Sequence, residues 1–91
     1  MADVVVTLKI MPESPDMDFS HIETQARKYL TDFGGMVARV EEEPIAFGLK
    51  ALKMMFILDE AKGSTEAVEH QIAQISGVTS VQVTDVRRTV G

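Results

Sequence analysis

The hydrophobic period changes along this chain, from two residues to about 3.6 and back again, and that change limits the fold more than any other feature. Val4, Val6, Leu8 and Ile10 alternate with Val5, Thr7 and Lys9 in a β-branched stretch, the pattern of a strand with one buried face. The spacing predicts a first strand over Asp3 to Met11 with its even-numbered side chains inward. Pro12-Glu13-Ser14-Pro15-Asp16 then takes the chain out of the sheet. From Asp18, a residue type suited to an N-cap, Phe19, Ile22, Ala26, Leu30 and Phe33 recur at helical spacing until Gly34-Gly35 supplies a left-handed stop. Glu23 and Arg27 fall on the exposed face of this helix at the favourable i,i+4 separation.

Strand-like runs return at Met36 to Glu42 and at Leu49 to Asp59. In the second of these, Leu52, Met54, Phe56 and Leu58 share one face and Lys53, Met55 and Ile57 the other. Both faces are rather apolar, so the strand belongs in the middle of the sheet. The methionines here and in the preceding strand read as core filler. Gly63-Ser64-Thr65 introduces a second helix, with Val68, Ile72 and Ile75 as its buried stripe, Glu66 in its first turn and Gly77 at its end. A last strand, Val78 to Val86, alternates Val81 and Val83 with Gln82 and Thr84, and Arg87-Arg88 follow as a basic tail. The order β-α-β-β-α-β is the ferredoxin-like pattern, an α+β fold with a four-stranded antiparallel sheet and both helices on one face. The 91 residues read as one domain, residues 1–91.

Composition removes several functions. The absence of cysteine excludes disulfides, thiolate nucleophiles and sulfur-ligated zinc. His21 and His70 lie in different helices with no carboxylate cluster to complete a metal site, so neither a metal nor a cofactor is expected. The net charge of -5 opposes broad phosphate binding, and Phe56, the one strand aromatic, is assigned to the core, which argues against nucleic acid as a direct partner. No apolar run approaches the roughly 20 residues of a membrane span, and the chain reads as soluble and cytoplasmic. With no Ser-His-acid grouping and no Gly-rich phosphate loop, an enzyme is not expected and no catalytic residue is assigned. Glu41-Glu42-Glu43 reads as a solvated strand edge.

Two segments resist such plain readings. Glu43-Pro44-Ile45-Ala46-Phe47-Gly48-Leu49-Lys50 joins two strands but is too apolar for a simple solvated turn; it either tucks beneath a helix or projects as a contact knob. Thr84-Asp85-Val86-Arg87-Arg88 ends an acidic chain on two guanidiniums.

The string Pro44-Ile45-Ala46-Phe47-Gly48-Leu49-Lys50-Ala51-Leu52, together with Val81-Gln82-Val83-Thr84-Asp85-Val86 and the Lys9-Ile10-Met11-Pro12 ending of the first strand, resembles the exchange domain of translation elongation factor 1-beta, in its archaeal form. The resemblance runs through nearly the whole chain. It implies a ferredoxin-like fold and a guanine nucleotide exchange factor that binds GDP-bound elongation factor 1-alpha, releases the GDP and lets GTP enter. By the same resemblance Phe47 is an apolar anchor against that partner, with Pro44, Ile45, Gly48 and Lys50 around it. Thr84, Asp85, Arg87 and Arg88 then lie near the nucleotide site. In eukaryotic members a lysine close to the C-terminus acts at the partner's magnesium site. The matching neighbourhood here, Thr89-Val90-Gly91, has no lysine, and Arg87 or Arg88 carries the nearest positive charge. The alternative from another class is a stand-alone small-molecule-sensing regulatory domain of the same fold.

Overall fold

The computed structural model describes residues 2–16 and 18–89. Its elements are β1 (Asp3–Pro12), α1 (Phe19–Asp32), β2 (Met36–Pro44), β3 (Lys50–Asp59), α2 (Glu66–Ala73) and β4 (Val78–Arg88), with single 3-10 turns at Ala46–Gly48 and Glu60–Lys62. The strands form one sheet in the order β2-β3-β1-β4, with every neighbouring pair antiparallel. This is the ferredoxin-like α+β arrangement, and β3 is an interior strand, as its two apolar faces imply.

The two periodicities meet in the core. Val6, Leu8 and Ile10 of β1 and Leu52, Met54, Phe56 and Leu58 of β3 are buried on one face of the sheet. Ile22, Ala26 and Leu30 of α1 and Val68 and Ile72 of α2 close over them, with Ile75 just beyond α2. Burying one large aliphatic or aromatic side chain contributes about 1.5–3 kcal/mol, so this layer supplies the main stabilising term. The helix ends follow from local hydrogen bonds. Asp18 Oδ1 accepts from the Ser20 N–H at 2.9 Å. At the other end the Gly35 N–H reaches Leu30 O at 2.8 Å and the Gly34 N–H reaches Thr31 O at 3.0 Å. That pair of bonds places Gly34 in the left-handed region, with φ of 100°. Glu23 and Arg27 form the expected ion pair at 3.1 Å.

The structure corrects four boundaries or environments. β2 continues through Glu43 to Pro44, because Pro44 closes an edge strand, where a missing N–H breaks no ladder. β3 begins at Lys50, since Leu49 belongs to the turn. Arg87 and Arg88 are not a tail: they pair with Val5 and Val4 as the last residues of β4. Met36 is 63% exposed on the open side of the edge strand, whereas Met54 fills the core as expected.

Candidate functional site

The β2–β3 hairpin ends the sheet in a turn that projects. Pro44 pairs with Lys50, the Ile45 N–H donates to Leu49 O at 2.8 Å, and the Leu49 N–H donates to Ala46 O at 3.3 Å. Between them Phe47 and Gly48 both have positive φ, 63° and 75°. Consecutive left-handed residues match the right-handed twist of the flanking strands, which is why tight hairpins favour them. Glycine adopts that backbone freely; for phenylalanine it costs about 1–2 kcal/mol. The Phe47 ring is 97% exposed, so no burial within this chain offsets that cost. Of the two placements open to this apolar loop, projection is the one observed. Lys50 stands at the base of the turn, 3.8 Å from Glu42 across the strand pair. The other acids of the run also have cations within reach: Glu41 meets Arg39, and Glu43 lies 3.7 Å from Lys53.

A bulge governs the end of β4. Leu8 pairs with Val83 and Thr7 with Asp85, so Thr84 is the extra residue in the register. Its hydroxyl makes a long, 3.5 Å approach to Thr7 O. Strict alternation after Val81 and Val83 would aim Asp85 and Arg87 at the core. The bulge instead sets them beside Thr7 and Val5 on the open face, and turns Val86 and Arg88 to the helix side beside Val6 and Val4. The two arginines therefore sit on opposite faces. Arg87 Nε lies 2.8 Å from Asp85 Oδ2. Arg88 grips Glu60 with two nitrogens, Nη2 to Oε1 at 3.0 Å and Nε to Oε2 at 2.9 Å. The strand end is further tied to β1, since the Thr89 N–H and hydroxyl both donate to Asp3 O, at 2.8 and 3.0 Å. Val90 and Gly91 lie outside the described residues.

The candidate residues do not converge on one site. Pro44, Ile45, Phe47, Gly48 and Lys50 share the hairpin tip. Thr84, Asp85, Arg87 and Arg88 lie two strands away and toward the opposite end of the sheet. Eight residue steps along β3 separate Lys50 from Leu58, whose row contains Val4 and Arg88. At about 3.3 Å per residue that is roughly 26 Å. Sequence reasoning missed Val86, 59% exposed, and Glu60, the partner of Arg88. Neither had a signal in the spacing, because the bulge inverts the expected face of Val86 and the Glu60 contact spans 28 positions. Among the described residues no group of three or more His, Cys, Asp or Glu side chains is disposed to hold a metal ion, and no helix is long and apolar enough to cross a membrane.

A sheet with one helix-covered face, an exposed aromatic at one extremity and a charged strand end at the other defines a small two-layer α+β domain. Solved structures share this architecture. The ACT domain from the GTP pyrophosphokinase of Chlorobium tepidum superposes with a TM-score of 0.60 at 15% identity, covering 89% of this chain and 97% of that one. The C-terminal domain of the MgtC protein from Mycobacterium tuberculosis gives 0.65 at 10% identity, covering 96% and 87%. At such low identity the likeness concerns fold alone. Sequence goes further: the family model for the EF-1 guanine nucleotide exchange domain matches residues 5–89. Elongation factor 1-beta of Methanothermobacter thermautotrophicus is 46% identical over 88 residues, 97% of this chain and 98% of the relative. Elongation factor 1-beta of Methanobrevibacter smithii is 44% identical with the same coverage. The chain belongs to the elongation factor 1 guanine nucleotide exchange domain family. Its role is nucleotide exchange in translation elongation, a process in which the exchange factor makes and breaks no covalent bond.

Proposed function

We propose that this chain accelerates release of GDP from elongation factor 1-alpha, allowing GTP to bind, and that Phe47 is the anchor that seats it on that partner. An exchange factor works by differential binding: it holds its partner in the nucleotide-poor conformation more tightly than in the nucleotide-bound one. The observation that carries the reading is Phe47, an aromatic ring 97% exposed on a left-handed backbone within a matched family. The turn backbone is already fixed by its hairpin hydrogen bonds, so docking orders only the two side-chain torsions of the ring, and aromatic anchors commonly dominate interface energies. The end of β4, with Thr84, Asp85, Arg87 and Arg88, approaches the nucleotide site in this reading. A partner touching both regions reaches across roughly 26 Å of sheet.

Stopped-flow release of a fluorescent GDP analogue from elongation factor 1-alpha tests this directly. Wild-type chain is expected to accelerate release, and Phe47→Ala to raise the half-saturating concentration roughly tenfold or more. No acceleration at saturating wild-type chain would reject the exchange reading. Acceleration unaffected by Phe47→Ala would reject the anchor.

A further inference from the structure

Helix α2 is eight residues long, roughly 12 Å, whereas β4 beneath it runs for 11 residues, roughly 36 Å. The helix therefore leaves part of its side of the sheet uncovered. Between its first turn and the end of β4 lies a groove of about 350 Å³. The floor is aliphatic, formed by Val4, Val6, Leu58 and the half-exposed Val86. The rim carries three carboxylates, Glu60, Glu66 and Glu69.

The polar groups around the groove are largely committed in ways that leave negative charge facing it. Ser64 Oγ accepts from the Glu66 N–H at 3.1 Å, and the Thr65 hydroxyl donates to Glu69 Oε2 at 2.7 Å, which holds the start of α2 in place. Lys62, the cation of the adjoining turn, lies instead against Gly34 at the end of α1. Arg88, at the end of β4, already holds Glu60 through two nitrogens, so the negative charge left facing the groove is that of Glu66 and Glu69.

We propose that this groove receives a lysine- or arginine-bearing segment of the partner GTPase, the alkyl stem of that side chain lying on Val4 and Val86 and its charge beside Glu66 and Glu69. The proposal rests on the exchange reading above, which supplies the partner. Charge complementarity selects the occupant. An acidic segment is repelled by Glu66 and Glu69, and a purely apolar one desolvates these two carboxylates without bringing a counter-charge, Glu60 being already paired with Arg88. A long basic side chain satisfies both the aliphatic floor and the acidic rim. Such a contact acts mainly on encounter and on salt dependence, while Phe47 supplies the apolar anchor.

The test compares wild type with Glu66→Lys, Val86→Lys and the remote charge reversal Glu23→Lys. It measures calorimetric binding to elongation factor 1-alpha and release of a fluorescent GDP analogue, each at low and high salt. Val86→Lys fills the groove with the chain's own cation and changes no residue of α2, so it reads the groove even if Glu66→Lys weakens that helix. Circular dichroism confirms that each variant is folded. Both groove variants are expected to bind roughly fivefold to tenfold more weakly at low salt, with a flatter salt dependence, while Glu23→Lys matches wild type. Unchanged affinity in folded Val86→Lys overturns the groove and leaves the exchange function standing. Wild-type binding without acceleration removes the exchange function while the groove is still judged by the affinities. Absence of wild-type binding removes both.

Discussion

The hairpin tip and the end of β4 are both exposed extremities of one sheet, yet they are exposed for opposite reasons. At the tip, Phe47 holds an unfavourable backbone and an unburied ring, and nothing inside the chain compensates either. At the end of β4 the charged groups are provided for internally, Arg87 by Asp85 and Arg88 by Glu60, and the backbone is tied to Asp3. Exposure alone therefore does not mark a contact surface. Exposure that the isolated chain cannot account for does, and by that criterion the tip is the stronger candidate for an affinity-determining contact. The charged end is suited to steering and placement.

Both regions ride on one core, formed by β1, β3 and the two helices. Phe56, fully buried between them on β3, tests this with the largest expected effect. Phe56→Ala should lower unfolding stability by about 3–5 kcal/mol, and fluorescence and circular dichroism should report one coincident transition in denaturant. Non-coincident transitions, the fluorescence coming from Tyr29 of α1, would show that the core is not one cooperative unit. Next in size is the backbone cost at the tip. Phe47→Asn keeps a residue that tolerates positive φ and removes the ring, so it should raise stability by about 0.5–1 kcal/mol while partner affinity falls. A thermal melt showing destabilisation would mean that the ring is supported within the fold. The smallest effects separate the two arginines. Arg88→Ala should cost about 0.5 kcal/mol, since its pairing is bidentate but well exposed, and Arg87→Ala still less, because its contact stays within one exposed strand. Equal losses in chemical denaturation would erase the distinction between a residue that ties elements together and one that does not.

Much of this molecule was legible from residue spacing. The inward stripe of β1, the interior position of β3, the Asp18 and Gly34 ends of α1 and the stripe of α2 all follow from repeating contacts with the nearest neighbours in sequence. What escaped depends on breaks in those repeats. Pro44 reads as punctuation but closes an edge strand, where its missing donor faces no partner. Arg87 and Arg88 read as a tail because charge suggests solvent, yet an edge strand accommodates charge while its backbone pairs on one side only. The family strings drew attention to the loop around Phe47, which the structure shows to project. They carried no information that its backbone is left-handed, a conformation that spacing rules would have reserved for glycine or asparagine. Nor did they reveal that the candidate residues divide between two ends of the sheet.

The bulge at Thr84 has a consequence for comparing chains of this kind. It gives β4 two phases, so Val83 and Val86 face the same side although their numbers differ in parity. A relative that lacks the extra residue keeps its valines and arginines on the same faces only if everything beyond that point is numbered one lower. A gap opened at position 84 then keeps equivalent side chains aligned. A gap opened a few residues later would match groups that point to opposite sides of the sheet.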